Sequence, residues 1–281
     1  MNRRYFLKYT ALAGLSSPVF VGFRTYAAEQ GTLPSSSRVD ALMKSMTLEE
    51  KVRQICAVYP GEGDEVLLEF GAVSREKMSA AFGTDGAGAV SVPLGKYGAR
   101  KGAEAAQMIQ DIAIKQTRSG IPAFLQSEAL HGLWDPESAC FPQAIAMAST
   151  WDIPLMQRVA DRIGREARAR GIRMLFSPVL DLARDPRHGR AEETYGEDPL
   201  LASRFGVAYV SGVQAHKVVC TPKHFAANFV APGGRDSGDV EISERKLRSD
   251  LDAAGVSVSD QDIRAKMVEL LAQAIDQIEN Q

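Results

Sequence analysis

The sequence predicts an α/β fold built on a parallel sheet, namely an incomplete (β/α)8 barrel of the TIM type that ends in an amphipathic helix. Apolar strand segments alternate with helical segments, and the strands are continuously apolar, as expected for strands buried on both faces. Polar clusters follow the strands, where barrel enzymes place their sites. A barrel of about 250 residues would nearly fill the chain. A doubly wound sheet is the alternative, disfavoured because no glycine-rich dinucleotide turn is found.

Two helical segments follow a polar linker at residues 30–37. The apolar residues that share one face of the first helix are Val39, Leu42, Met43 and Met46. Thr47, with Glu50 three residues later, forms a capping box that starts the second helix. Val52, Ile55 and Cys56 are expected to turn inward from this second helix.

Strands and helices then alternate. Residues 86–92 predict a short buried strand, because their glycine spacing fits neither a Walker loop nor a dinucleotide-binding turn. Residues 102–116 carry apolar side chains at helical spacing, and residues 121–126 predict the next strand.

The second half of the chain continues the same alternation. Asp152 is expected to cap a helix that ends at Gly171 in a left-handed conformation. The side of this helix that is expected to be buried carries Leu155, Val159 and Ile163. Residues 172–182 predict a strand, and residues 198–214 predict a helix that precedes the strand at Val218.

Composition and charge exclude several classes of function. The chain has 281 residues, 45% hydrophobic and 24% charged, with a formal net charge of −2. This charge gives no reason to expect nucleic acid or an anionic membrane as a partner. Three cysteines in mostly apolar contexts are predicted to be buried thiols, namely Cys56, Cys140 and Cys220. Metal-ligand spacings such as C-x-x-C are absent, so neither a metal nor a cofactor is expected.

The N-terminus has the pattern of an export signal. Residues 2–8 match the twin-arginine motif, an apolar stretch follows at residues 9–23, and small residues at 27–28 suit a cleavage site. The apolar stretch is too short and too interrupted to span a membrane. Such a signal is read by a receptor and is not an anchor. Residues 1–28 are therefore predicted to be the signal peptide of a periplasmic bacterial protein without a membrane anchor after cleavage.

Four polar clusters follow predicted strands. They occupy residues 128–132, 184–199, 223–224 and 233–236. Together they would bring five polar side chains to the end of the barrel at which the strands end. These are a carboxylate, two arginines, a lysine and a histidine, namely Glu128, Arg190, Arg235, Lys223 and His224. Each sugar hydroxyl is both a donor and an acceptor, so carboxylates and cationic donors can share the hydroxyls of one ligand. The clusters therefore predict a site for a neutral, hydroxyl-rich ligand.

Each cluster has a less specific interpretation. Lys223 and His224 could lie in a surface turn, although an unpaired ammonium at the end of a buried strand is costly. The second cluster could be a surface loop of ion pairs, which contribute little energy. That interpretation suits Glu192 and Glu197 better than Arg190, which follows a glycine that permits close backbone approach.

In order and character, the clusters resemble the N-terminal barrel domain of glycoside hydrolase family 3, in the branch of β-glucosidases and β-xylosidases. The matching segments are residues 120–122 with 128–132, 185–190 with 193–199, 223–228, and 233–236 with 242–248, preceded by a similar opening helix at 47–51. The resemblance implies a barrel domain at residues 29–250 and a divergent helical tail at residues 251–281. It also implies retaining hydrolysis of terminal, non-reducing β-D-glucosidic or β-xylosidic bonds, with a β-linked oligosaccharide or glycoside as ligand.

The resemblance also implies roles for single residues. Glu128 takes the place of the family's acidic hydroxyl binder. The other substrate-binding residues that it implies are Arg190, Lys223, His224 and Arg235. Roles in packing, or in supporting the binding residues, are implied for His131, Trp134 and Tyr195. The loop after His224 lacks the His-Asp pair of the hexosaminidase branch, which argues against N-acetylated substrates.

The catalytic carboxylates are harder to assign. A retaining glycosidase needs two carboxylates about 5 Å apart. In the family, the nucleophile is an Asp on a later barrel strand, and the acid/base usually comes from a second domain. Residues 255–260 are similar to the nucleophile strand, which makes Asp260 a nucleophile candidate. The alternative, which we favour, is that Ser257 or Ser259 caps an amphipathic helix.

No second domain fits before Gln281, so the chain is expected to be truncated. An incomplete barrel would leave two unpaired sheet edges, which favour self-association. The alternative function is a non-catalytic carbohydrate-binding remnant that keeps part of the sugar subsite. An unrelated barrel enzyme that uses His224 or Lys223 as a base would require a coincidence of four motifs.

Overall fold

The computed structural model describes residues 37–58, 74–91, 98–225, 227–236 and 238–247. The predicted signal peptide, Asp260 and the terminal helix lie outside these residues. Contacts divide the chain into two compact units, Met1–Asp40 and Ala41–Gln281. Apart from the start of the first helix, every element described below belongs to the second unit.

A five-stranded parallel sheet is the centre of the second unit. The strands are β1 (Ala57–Val58), β2 (Ala89–Ser91), β3 (Phe124–Ser127), β4 (Met174–Leu175) and β5 (Val219–Cys220), and they lie in this order across the sheet. Each strand therefore pairs with the next one along the chain, as in a (β/α) barrel, whereas a doubly wound sheet reverses its strand order. The predicted α/β barrel-type fold is confirmed, and the sheet is not closed among the described residues.

Helices connect the strands and cover the sheet. They are α1 (Ser37–Ser45), α2 (Leu48–Gln54), α3 (Arg75–Phe82), α4 (Gly98–Gln116), α5 (Ala144–Ala148), α6 (Ile153–Ala169) and α7 (Pro199–Gln214). The core between the helices and the sheet includes Ile109, Ile112, Leu125, Ile163, Phe205 and Tyr209, all fully buried. None of these helices has the length and apolar character needed to cross a bilayer.

Three strands differ from their predicted bounds, and the first of them, predicted at residues 86–92, begins only at Ala89. The predicted strand at residues 172–182 ends as β4 at Leu175. Beyond Leu175 there is only a single bridge, between Val179 and Lys223, and Pro178 before this bridge has no N–H group to donate. The predicted strand at residues 121–126 begins only at Phe124, because the side chain of Gln110 bonds the N–H and carbonyl groups of Ala123.

The capping box of α2 is confirmed. Thr47 Oγ1 accepts from Glu50 N at 3.2 Å, and Glu50 Oε2 accepts from Thr47 N at 2.8 Å. Arg118 Nε donates to the buried Glu50 carboxylate at 2.7 Å, and these hydrogen bonds lower the pKa of Glu50. Arg53 Nε donates to Gly86 O at 2.7 Å, which ties α2 to the start of the neighbouring strand segment.

The predicted inward face of α2 is wrong. Ile55 is 82% exposed, and Val52 and Cys56 are exposed as well. The reason is that Glu50 and Arg53 occupy the inner side of the helix through the hydrogen bonds just described. Spacing identifies residues that share a face, but not which face is buried.

Helix α6 begins and ends as predicted. Asp152 Oδ1 accepts from Leu155 N at 2.9 Å, and Gly171 follows the helix with a φ of 81°. Leu155 itself was expected inside and is exposed, as is Met43 of α1. The buried stripe of α6 instead comprises Met156, Ala160, Ile163, Gly164 and Ala167.

The prediction of three buried thiols is confirmed for Cys220 alone. Burial raises the pKa of the Cys220 thiol to about 12. Cys56 follows the end of α2 and Cys140 lies in the loop after β3, and both are exposed. All three cysteines are free thiols.

Candidate functional site

Glu128 and Lys223 meet at the edge where the strands of the sheet end. Glu128 directly follows β3, and Lys223 lies three residues beyond β5. Lys223 Nζ donates to Glu128 Oε1 at 2.8 Å, so the expected partner of the strand-end lysine is present. Glu128 Oε2 is shielded from solvent and has no hydrogen-bond partner among the described residues. The pair thus places a cationic donor beside a carboxylate that has one oxygen without a hydrogen-bond partner.

His224 is held by an aspartate from the segment after β4. Asp181 Oδ2 lies 2.6 Å from His224 Nδ1, and Asp181 Oδ1 accepts from the backbone N–H of His224 at 3.3 Å. The Asp181 side chain is only 3% exposed. A carboxylate at Nδ1 assigns the ring proton to that nitrogen in the neutral imidazole and leaves Nε2 as an acceptor.

Arg190 completes this network. Its Nη1 lies 3.2 Å from His224 Nε2, which suits donation to a neutral imidazole. On its other side, Nε and Nη2 donate to the two oxygens of Glu193 at 2.8 and 2.7 Å. This bidentate contact raises the pKa of Arg190 and lowers that of Glu193. The guanidinium is therefore fixed in one orientation and remains charged.

A cavity of about 600 Å³ opens beside these residues. Glu128, Arg190 and Glu193 line it together with much of the loop from Ala129 to Cys140. Its volume falls within the range of about 300–1,000 Å³ that is typical of small-molecule sites. Polar groups with fixed positions therefore adjoin a space that can hold a sugar.

The segment that contains Arg235 lies against the loop after β4. The His188 ring stacks on Phe229 with a centroid distance of 3.7 Å, and His188 Nε2 lies 3.6 Å from Asp236 Oδ1. Gly234 has a φ of 69°, and a Cβ atom there would lie 2.9 Å from Arg187 Cβ. Arg235 is exposed and is not among the residues that line the cavity.

Two of the three residues that were expected to pack or to support the binding residues are at least partly buried. Tyr195 is buried and its ring lies 5.5 Å from that of Phe205. His131 is partly buried, and its Nδ1 lies 3.0 Å from Phe141 O. Trp134 differs, since it is 58% exposed and lines the cavity. Trp134 is therefore not a packed interior residue, and a role in support of the binding residues stays a prediction.

Known proteins are similar to this chain in sequence and in fold. The family model for the glycosyl hydrolase family 3 N-terminal domain matches residues 47–275. The chain belongs to glycoside hydrolase family 3. A β-xylosidase from Formosa agariphila is 43% identical over 157 residues, which are 51% of this chain and 22% of that protein. A periplasmic β-glucosidase from Salmonella typhimurium is 29% identical over 220 residues, which are 75% of this chain and 26% of that protein.

A solved family 3 structure has the same fold. A β-glucosidase from Listeria innocua, crystallised with laminaribiose, superposes with a TM-score of 0.63 at 28% identity. The superposition covers 80% of this chain and 32% of that protein. The chain thus spans about a third or less of these family 3 proteins. The matched family domain extends past residue 250, into the segment predicted to be a separate tail, and that boundary stays a prediction.

The structure brings together four of the predicted family 3 substrate-binding residues. Contacts join Glu128 to Lys223 and Arg190 to His224. Their sugar-binding roles stay predictions, as does that of Arg235. The nucleophile candidate Asp260 lies outside the described residues. Within the described part of the chain, no cluster of His, Cys, Asp or Glu residues has the geometry of a metal site.

Two residues of the network were not predicted to be site residues. Asp181 orients His224, but in the sequence it stands between Leu180 and Leu182 within a predicted strand. An acidic residue inside an apolar segment was the available signal, because burial of a carboxylate requires a partner. Glu193 holds Arg190, and its spacing of three residues was compatible with that contact.

Proposed function

We propose that the protein hydrolyses terminal, non-reducing β-D-glucosidic or β-xylosidic bonds with retention, and that this chain forms the subsite for the terminal sugar. The observation that carries the proposal is the arrangement of Glu128, Lys223, Arg190 and His224 at one edge of the parallel sheet. Membership of family 3, and relatives named as β-xylosidase and β-glucosidase, support this reaction class.

The unused hydrogen-bonding capacity at this edge suits a sugar. A guanidinium has about five N–H groups and an ammonium about three. Arg190 uses three contacts within the network and Lys223 uses one, so each retains donors for hydroxyl oxygens. The Glu128 side chain is 40% exposed, so its carboxylate can supply the matching acceptor for a hydroxyl proton. The described residues would thus hold the terminal ring and orient its anomeric carbon.

A second candidate is a sugar-binding protein without turnover. Retaining hydrolysis needs two available carboxylates about 5 Å apart. Among the described residues of the site, Glu128, Asp181 and Glu193 each bind a cationic group or the imidazole. None of these three is therefore free to act as a nucleophile, and the first candidate requires carboxylates from elsewhere, with Asp260 as the candidate in this chain.

Two assays on the chain without residues 1–28 distinguish the candidates. One follows hydrolysis of aryl β-glucosides, β-xylosides and β-N-acetylglucosaminides, and the other follows binding of glucose and xylose by calorimetry. A family 3 hydrolase of the β-glucosidase and β-xylosidase branch should cleave one or both of the first two substrates and not the third. Asp260→Ala should abolish cleavage and leave sugar binding intact if Asp260 is the nucleophile.

The binding site itself is tested with Glu128→Gln. This variant removes the charge that holds Lys223 and should weaken monosaccharide binding by about tenfold, the equivalent of roughly 1.4 kcal/mol. Glu192→Gln is the matched control, because Glu192 is an exposed carboxylate next to the site loop. Binding without turnover would support the second candidate. A folded chain that binds neither sugar would contradict both.

We also propose that the protein is exported to the periplasm by the twin-arginine route. The motif at residues 2–8 supports this, as does a relative named as a periplasmic β-glucosidase. Replacement of Arg3 and Arg4 by lysine should leave the full chain in the cytoplasmic fraction. Equal periplasmic recovery of the variant and the native chain would contradict the proposal.

Self-association through sheet edges is a further proposal. Among the described residues, β1 and β5 are the outer strands of the sheet, and outer strands present unpaired N–H and carbonyl groups. Light scattering during size-exclusion chromatography should show a mass above 30.4 kDa that falls on dilution. A monodisperse monomer at all concentrations would contradict this proposal.

A further inference from the structure

Trp134 occupies an unusual position for a large apolar side chain. It is 58% exposed and lines the same cavity as Glu128 and Arg190. Exposure alone does not distinguish it, because Trp151 is 70% exposed and is not among the residues that line the cavity. The distinguishing feature is an exposed indole beside fixed polar groups, which is a common composition of ligand sites.

The backbone holds Trp134 next to Glu128. Trp134 N donates to Glu128 O at 3.1 Å, which closes the turn between these two residues. The base of the same loop is closed by Phe141 N, which donates to His131 O at 2.7 Å. The indole and the carboxylate are therefore carried by one short, hydrogen-bonded loop.

A buried ion pair anchors this loop to α6. Asp135, the residue after Trp134, accepts from Arg170 Nε at 2.8 Å, and both side chains are buried. Asp135 Oδ1 also accepts from Glu137 N at 2.8 Å, and Glu166 of α6 accepts from Ala139 N at 3.1 Å. An aromatic side chain on an anchored loop loses less conformational entropy on binding than one on a free loop.

We propose that Trp134 is the stacking surface for the second sugar unit of a β-linked ligand whose terminal unit lies at Glu128 and Arg190. This inference rests on the proposed function. In β-glucosides and β-xylosides the ring substituents are equatorial, so each ring face presents C–H groups that pack on an aromatic ring. Trp134 is an exposed, large apolar group of the cavity lining, whereas the side chains of Glu128 and Arg190 in the same lining are more buried.

The test uses the small number of indoles in the chain. Trp134 and Trp151 are the two tryptophans of the sequence, so Trp151→Phe leaves Trp134 as the single indole fluorophore. Cellobiose and xylobiose should change the emission of this variant and bind about tenfold more tightly than glucose and xylose. The monosaccharides should occupy the inner subsite with little effect on the emission.

Substitutions of Trp134 provide the second readout. Trp134→Ala should remove the tighter binding of the disaccharides and leave monosaccharide affinity unchanged, and Trp134→Tyr should restore most of the difference. Trp151→Ala should behave as the native chain. Rescue by tyrosine is not expected from a purely structural role, and thermal melts establish that each variant is folded.

The outcomes separate this inference from the proposed function. If monosaccharides bind but disaccharides bind no more tightly, or if Trp134→Ala keeps the difference, the role of Trp134 is refuted and the terminal-sugar subsite stands. If the folded native chain binds neither class of sugar, the proposed function fails and the inference fails with it.

Discussion

Each cationic or imidazole group of the site is oriented by one specific carboxylate. Glu128 holds Lys223, Glu193 holds Arg190, and Asp181 holds His224. The three carboxylates come from different segments of the chain. The contact of Glu193 with Arg190 is local, within three residues, whereas the other two contacts join segments that are far apart in the sequence. The site is thus ordered before a ligand enters, which reduces the cost of binding.

The contact between Arg190 and Glu193 predicts a dependence on pH. Arg190 holds the pKa of Glu193 below its ordinary value of 4.5. A lowered pKa in the folded state stabilises the fold above the ordinary value, and this stabilisation is lost as the pH falls through the lowered pKa. Glu193→Gln should therefore be less stable than the native chain by about 1 kcal/mol near neutral pH, with a smaller difference in acid.

Thermal melts from neutral to acidic pH measure this difference. Glu192→Gln is the control, because Glu192 is the exposed neighbour of Glu193, and its melting temperature should follow that of the native chain throughout. A stability difference for Glu193→Gln that persists unchanged in acid would show that the charge of Glu193 is not its origin.

At the scale of elements, α6 and the loop after β3 depend on the buried pair of Asp135 and Arg170. Removal of one member of such a pair leaves an uncompensated buried charge. Arg170→Met should therefore destabilise the fold by about 3–5 kcal/mol, whereas the double variant with Asp135→Asn should lose much less than the sum of the two single changes. Denaturant unfolding measures all three variants.

The matched control for this pair is Arg100→Met. Arg100 pairs with Glu104 on the surface of α4 at 3.1 Å, and its side chain is 91% exposed. Exposed pairs of this kind contribute about 0.3–0.5 kcal/mol, so the change should be close to the error of the measurement. Equal effects of Arg100→Met and Arg170→Met would contradict the anchoring role.

The contact between α2 and β2 depends on a glycine. A Cβ atom on Gly88 would lie 1.9 Å from the carbonyl oxygen of Gln54. Because that oxygen belongs to the backbone, it cannot move without the end of α2, and Gly88→Ala should greatly reduce the yield of folded protein. Gly189→Ala is the control, since a Cβ atom there meets nothing within 4 Å. Equal melting temperatures of the two variants would contradict this account.

At the scale of the whole molecule, the thiols report on global unfolding. Cys56 and Cys140 are exposed, while Cys220 is buried in the core with its pKa raised to about 12. A thiol reagent should therefore label two cysteines of the native protein quickly and the third only on unfolding, because the thiolate is the reactive form. Rapid labelling of all three under native conditions would show that β5 opens readily.

The sequence predicted the site residues that directly follow strands, but it did not predict the residues that orient them through hydrogen bonds. Glu128 and Lys223 were predictable because each follows an apolar strand, and the ends of parallel strands meet at one edge. Asp181 was not, because regular pairing ends at Leu175 and the chain reaches His224 through an irregular segment. The exposure of Ile55 was also unpredictable, since periodicity does not identify the inner face of a helix.

The pairing of Lys223 and Arg190 with their own carboxylates has a consequence for the solution behaviour of the site. These two ion pairs are neutral as pairs, and Asp181 beside the imidazole of His224 adds a negative charge, so the edge offers directional hydrogen bonds with a small net negative charge. The binding of a neutral ligand releases few counterions, and salt does not screen its hydrogen bonds to the site. Added salt should therefore leave the affinity for neutral sugars nearly unchanged, and an anionic sugar analogue should gain no long-range attraction.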